Sequence, residues 1–186
     1  MCIRDRFNPE ADIPQWAQEK TNATLFLEDS FKDDVESWDF FSSTSNHQGR
    51  IDTLASDSSS VLIIESITTE GSSANSSRWR HPITKPDLPE TATLKLTATV
   101  SGEEITGQGV SVVLRTDSGV GTNRIVSGFG TTEGEVLITG TFDKQDFSTE
   151  IDYVPTDIED LFVFLLLLPE TEGKVTFHDV KLTVLE

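Results

Sequence analysis

The residues able to do covalent or acid–base chemistry are few and scattered in this 186-residue chain. Its three histidines, His47, His81 and His178, lie far apart, and no His-x-x-x-His spacing pairs two of them as metal ligands. Asp117-Ser118-Gly119-Val120-Gly121 superficially resembles a serine-protease turn, but it lacks the flanking context of a nucleophile, and a β-turn explains it. Gly128-Phe129-Gly130 is not a phosphate loop, because no strand–glycine loop–helix unit follows it. Adjacent carboxylates such as Glu103-Glu104 sit in a turn after Gly102. With 32 Asp and Glu against 14 Lys and Arg, adjacent acids are expected from composition alone. The single cysteine, Cys2, allows no disulfide framework, cysteine zinc site or embedded thiol nucleophile. These residues predict no catalytic site and no enzymatic activity.

The elements that would carry any site are strands. Met1-Cys2-Ile3-Arg4-Asp5-Arg6 resembles a translated transposase adapter of the kind that heads reading frames assembled from metagenomic reads, and it is set apart from the fold. Residues 7–23 read as a leader or linker with a short helix, so residues 1–23 precede the domain proper, expected at 24–186. From Thr24 onward, runs of Val, Ile, Leu, Thr and Phe alternate with Gly, Ser, Asp and Asn clusters, the texture of an all-β sandwich or barrel. Thr93–Val100 alternates strictly and predicts a strand with one wet face. Val110–Arg115 predicts a second strand after a Gly107-Gln108-Gly109 turn. Val61–Ile67, Glu135–Phe142 and Lys174–Leu185 predict others, and Pro155–Asp160 one helical turn. The run Leu161–Leu168 does not alternate. It predicts a central strand covered on both faces, or one that lines a partner surface. No run reaches the length of a membrane span, so no membrane insertion is expected. The net charge of −18 repels phosphate backbones and argues against a nucleic-acid partner.

Several segments then fall in a recognisable order. Phe31-Lys32-Asp33-Asp34-Val35-Glu36-Ser37-Trp38 resembles the acidic, aromatic opening of carbohydrate-binding-module jelly rolls. Trp79-Arg80-His81-Pro82-Ile83, followed by the strand from Ala92 to Ala98, is similar to a paired element of the galactose-binding-like superfamily. Ile138–Asp143 resembles a recurrent later element, and Gly173–Leu182 resembles the last strand. The resemblance implies a two-sheet antiparallel jelly roll. It also implies a non-catalytic carbohydrate-binding or accessory module of a larger bacterial protein, extracellular or at the cell surface. The alternative is a structural or adhesion domain that packs against a neighbouring domain of the same chain and binds no glycan.

The same resemblance implies a structural calcium ion near the first strand, with the last-strand Asp179 as one ligand. Glu28 and Asp29 are the acids that complete this candidate site, since hard oxygen ligands suit the ion. Otherwise no cofactor is expected. A polysaccharide or glycan partner needs aromatic platforms and polar groups that bond hydroxyls. The candidates are Trp38, Trp79 and Phe129 with Arg80, Arg115 and Arg124, drawn from a wider set that includes Phe40, Phe41 and Arg78. Burial is the competing role for Trp38 and Trp79, because a large aromatic on a strand serves the core more often than a ligand.

Overall fold

The alternation at residues 93–100 sets the pattern of the molecule. Leu94, Leu96, Ala98 and Val100 are fully buried, and the residues between them are half-buried, as a pleated strand with one wet face requires. The computed structural model describes residues 23–29, 31, 35–43, 46–54, 59–67, 76–83, 92–117, 124–129, 137–152 and 160–185. Among them run ten strands: β1 (Ala23–Asp29), β2 (Asp39–Ser42), β3 (His47–Thr53), β4 (Ser60–Ser66), β5 (Ser77–Ile83), β6 (Thr93–Asp117), β7 (Arg124–Phe129), β8 (Ile138–Asp152), β9 (Asp160–Leu167) and β10 (Lys174–Leu185). A short 3-10 turn, Val35–Ser37, precedes β2. The expected leader helix lies outside the described residues. So does the helical turn expected at Pro155–Asp160, except that Asp160 opens β9.

Every pairing is antiparallel, and the strands divide into two layers. One layer runs β3-β4-β10-β6-β8, with β1 beside the second half of β10. The other runs β2-β5-β9-β6-β7. This is the all-β, two-sheet antiparallel sandwich of jelly-roll type that the sequence leads one to expect. β6 belongs to both layers: Thr93–Glu103 pairs with β10, and Val110–Asp117 pairs with β9.

The two strands expected on either side of Gly107-Gln108-Gly109 are therefore one strand of 25 residues. The glycines make a corner and not a reversal. Glu104 (φ 53°), Gly107 (φ 68°) and Gly109 (φ 86°) adopt left-handed backbone. The register against β8 slips between Val100 and Gly102, Gly102 and Ile105, and Ile105 and Val110. Such bulges bend a strand and increase its twist, which lets it leave one sheet and enter the other. The corner is held from the β9–β10 connection: Thr106 N–H donates to Glu172 O at 3.0 Å, and Leu168 N–H donates to Gly109 O at 2.9 Å.

The inner faces of the layers meet in one apolar core. Burial of each Leu, Ile or Val there contributes about 1.5–3 kcal/mol. Among the described residues, Trp79 and His47 make polar links across it. Trp79 on β5 donates its Nε1–H to Ile63 O on β4 at 3.2 Å. His47 on β3 hydrogen-bonds Ser77 Oγ on β5 through Nδ1 and Thr171 O through Nε2, both at 2.9 Å. These partners answer the cost of burying an imidazole between two sheets.

His178 sits at a bulge of β10 between Phe177 and Asp179. Its Nε2 hydrogen-bonds Ser101 Oγ at 2.8 Å, and its Nδ1 is buried with no partner among the described residues. Burial, with a smaller contribution from the Lys144 charge, pushes this imidazole down to about 4. An unfolded histidine titrates near 6.5. Between those values the unfolded chain holds a proton that the folded chain lacks, so acidification favours unfolding. The melting temperature is expected to fall as pH drops from about 6.5 to about 4, and His178→Asn to flatten that part of the profile. Thermal melts of both proteins across the window check this. Parallel profiles would show that His178 contributes nothing to it.

Candidate functional site

Period-two alternation sorts the second sheet into an inner and an outer set. On β5, Ser77, Trp79, His81 and Ile83 are buried, while Arg78, Arg80 and Pro82 between them face outward. On β9, Leu161, Val163, Leu165 and Leu167 are buried, and Phe162, Phe164 and Leu166 form the opposite face. The register sets Arg80 beside Phe164 and Arg78 beside Leu166. On the far side of β9, Arg115 of β6 pairs with Phe162, and Val113 pairs with Phe164. β2 closes the row, with Asp39 opposite Arg80 and Phe41 opposite Arg78.

The outer face thus interleaves guanidinia with phenyl rings. The Arg78 guanidinium lies 4.7 Å from the centre of Phe41 and 5.5 Å from that of Phe164. Arg115 lies 5.2 Å from Phe164 and 5.9 Å from Phe162, and Arg80 lies 5.8 Å from Phe162. Each contact falls within the range of a cation–π attraction, worth about 0.5–2 kcal/mol depending on desolvation. Phe164 is left 6 % exposed, whereas Phe41 keeps 50 % of its surface. Burial, and then the charges of Arg115 and Arg80, hold the Arg78 guanidinium below its ordinary range. Its Nε is buried with no hydrogen-bond partner among the described residues. Arg80 pairs with Asp39 at 3.0 Å, an exposed ion pair that adds little stability.

The sequence-derived candidates separate on this frame. Arg80 and Arg115 lie on the outer face together. Trp38 and Trp79 do not: both are 4 % exposed and belong to the core, so neither ring can stack on a ligand. Trp38 also lies outside any strand, directly after the 3-10 turn, where its N–H donates to Val35 O at 3.2 Å. Its ring packs against Phe31 and His81, with centroids 5.5 and 5.0 Å away. Arg124 and Phe129 fall on β7, in register with Asp117 and Val112. The glycan candidates drawn from sequence omitted Phe162 and Phe164. Two signals could have found them: phenylalanines two apart on a strand share a face, as do Arg78 and Arg80.

The three acids proposed for calcium converge in the backbone. Glu28 and Asp29 of β1 pair with Lys181 and Val180 of β10, immediately after Asp179. The Asp179 carboxylate lies 3.7 Å from Lys181 Nζ. Among the described residues, no group of three His, Cys, Asp or Glu side chains is placed to hold a metal ion.

Two other places were candidates for chemistry. A cleft of about 850 Å³ on β4, β6 and β10 is lined by Glu65, Glu103, Glu104 and Glu172 with Lys174. Among the described residues none that lines it is aromatic, so they offer a sugar no stacking surface. The His47–Ser77 contact has the atom types of a base and a nucleophile. Both residues are buried, and both imidazole nitrogens are committed to structural bonds.

No protein-family model matches the sequence, and no curated protein matches it. Solved structures do match. The xylan-binding CBM22-1 domain of Xyn10C from Paenibacillus barcinonensis superposes with a TM-score of 0.55 at 9 % identity, over 88 % of this chain and 96 % of that one. The family 11 carbohydrate-binding module from Clostridium thermocellum, solved with a β-1,3-1,4-mixed-linked tetrasaccharide, gives 0.51 at 12 % identity over 86 % and 94 %. The Stig cyclase Fisc from Fischerella sp. TAU gives 0.56 at 14 % identity over 80 % and 84 %. At such identities the likeness is one of fold. That fold is the two-sheet antiparallel jelly roll implied by the order of the sequence motifs, here shared with carbohydrate-binding modules and a cyclase.

Proposed function

We propose that the chain is a non-catalytic, extracellular carbohydrate-binding module of a larger bacterial protein, and that it holds a glycan on the outer face of β2, β5, β9 and β6. One observation carries the reading: half-exposed Phe41 stands on the same sheet face as Arg78, Arg80 and Arg115. A pyranose ring has an apolar C–H face that rests on an aromatic ring, and a rim of hydroxyls that accept hydrogen bonds from guanidinium N–H groups. The fold shared with a xylan-binding domain and a tetrasaccharide-binding module supports the same reading. Against catalysis stands the sealed His47–Ser77 pair, which no substrate reaches. The structural-domain alternative needs a bare apolar face on β9. That face is covered by the chain's own arginines, which weighs for the glycan. An extracellular setting follows from the class of module. Among the described residues no helix is long and apolar enough to cross a membrane.

The test is binding to plant, algal and bacterial polysaccharides by affinity electrophoresis and calorimetry. Phe41→Ala is expected to weaken binding about threefold to tenfold, the equivalent of one lost stacking contact. Binding to none of them would refute the proposal. Unchanged binding by the variant would move the site off this face.

A structural calcium ion held by Glu28, Asp29 and Asp179 is part of the proposal. A ligand that binds only the folded chain raises its stability in proportion to the logarithm of its concentration. Millimolar calcium is therefore expected to raise the melting temperature of chelator-treated protein. No shift would remove the ion from the picture.

A further inference from the structure

We infer that the glycan held by this face carries isolated uronate groups, with one carboxylate received by Arg78, Arg80 and Arg115 and the adjoining sugar ring on Phe41. The inference rests on the glycan-binding reading and narrows it. Three observations support it.

The first is the distribution of charge. The chain carries −18 overall, yet three guanidinia stand on one sheet face, each within 6 Å of the centre of Phe162 or Phe164, with Arg115 near both. Within the β2-β5-β9-β6 layer, among the outer-face residues whose side chains are described, Asp39 is the one acid, and it lies at the β2 edge paired with Arg80; two residues beyond Arg115 and Phe162, Asp117 pairs with Asp160 in the backbone. Like charges held this close repel each other, and a bound anion would relieve that repulsion.

The second is the kind of hydrogen bonding on offer. A guanidinium has five N–H donors and no acceptor. Neutral sugar hydroxyls both donate and accept, so a wall of donors leaves their own O–H groups without an acceptor. A carboxylate accepts only, and its planar oxygens match the guanidinium fork two bonds at a time. The Arg78 guanidinium is held in place against the Phe41 and Phe164 rings, 4.7 and 5.5 Å from their centres.

The third is the covering of the aromatic layer. Phe164 is almost completely hidden beneath Arg78 and Arg115, and Phe162 is half-buried, which leaves Phe41 as the main open platform. One platform beside three cations suits one sugar ring beside one charge. It does not suit a series of stacked bases, and the surrounding negative field opposes any densely charged polymer, nucleic acid included. A backbone with scattered uronates brings its charge only to the place where the arginines stand.

The experiment uses matched pairs. Glucuronoxylan and a glucuronate-bearing arabinogalactan are each compared with their carboxyl-reduced forms, in which the charge is removed and the backbone kept. Polygalacturonate, a sulfated carrageenan and oligo(dT) serve as polyanions of other kinds. At least one uronate polymer is expected to bind about tenfold or more tighter than its reduced form, with the preference shrinking as salt screens the charges. Arg78→Gln and Arg115→Gln are expected to abolish the preference. Arg80→Gln, at an exposed position that leaves the core untouched, is expected to reduce it in a protein that melts like the wild type. Arg78→Lys keeps the charge but loses the fork, and is expected to recover only part of it. Equal binding of both members of each pair would overturn this inference and leave the glycan reading standing. So would tighter binding of polygalacturonate, carrageenan or oligo(dT). Binding of none of these would overturn this inference, and the wider polysaccharide screen would then decide the glycan reading on its own.

Discussion

Trp79→Ala is expected to lower stability by about 3–5 kcal/mol, the range for truncating a large buried aromatic. Three losses combine in it. The indole is 4 % exposed at the centre of the sandwich, so its removal opens a cavity between the layers. Its ring packs on Phe40, with centroids 5.1 Å apart at 53°. Its Nε1–H crosses to Ile63 O and ties β5 to the opposite sheet. Trp79→Phe separates these contributions, because it keeps most of the apolar contact and loses the hydrogen bond, with an expected cost of about 1–2 kcal/mol. Urea denaturation of the three proteins measures the differences. A cost below about 1 kcal/mol for the alanine variant would contradict the placement of this side chain in the core. The outcome bears on function too: Trp79 lies between Arg78 and Arg80, so its burial is what turns both guanidinia to the outer face.

Gly107→Ala is expected to cost about 2–4 kcal/mol, from left-handed backbone strain and steric overlap together. At φ 68° the backbone occupies the region that L side chains rarely adopt, and an added Cβ would run into the Glu170 carbonyl oxygen. That oxygen is main chain in the tight connection between β9 and β10 and has little room to yield. Gly140→Ala is the control. Its φ is 90°, yet nothing lies within 4 Å of the Cβ position, so strain alone remains, at about 1–2 kcal/mol. The excess at Gly107 measures the close approach that fixes the corner of β6. Equal costs in equilibrium unfolding would mean the corner does not rest on that contact. Since the second half of β6 carries Arg115, a loosened corner is also expected to weaken ligand binding.

Much of this architecture was legible in local sequence, and where it was not, the reason is distance along the chain. The last strand spans Lys174–Leu185 as its pattern indicates, because alternation there is uninterrupted. The expected strand at Val61–Ile67 lies one residue earlier, at Ser60–Ser66. Gly107-Gln108-Gly109 was open to two outcomes, since a hairpin and a bulged corner both use glycines with positive φ. What selected the corner is the pairing of Val110–Asp117 with β9, and no residue near the glycines records that pairing. β7 escaped notice because Ser127-Gly128-Phe129 has the composition of a turn; it is a strand by virtue of its partner, Val112–Asp117.

The candidate site divides along the same line. Arg80 and Arg115 could be named from residue type alone, as donors suited to a sugar. Phe162 and Phe164 lay inside an apolar run that reads as a strand covered on both faces, burial being the commoner reason for such a run, or as one that lines a partner surface. The neighbours decided between these: Arg78 and Arg80 from β5 and Arg115 from β6 cover the outer face of β9.

The amino-acid sequence by itself settles the all-β class, the inward and outward positions of its clearest strands and the excess of negative charge. These depend on residue type and on a two-residue period, both of which are local. Tertiary structure alone decides that two tryptophans are core, that one strand serves both sheets, and that three arginines stand together on one face of an acidic molecule. Those outcomes depend on which strands pair, and pairing is set by the burial of whole faces against segments remote in the chain.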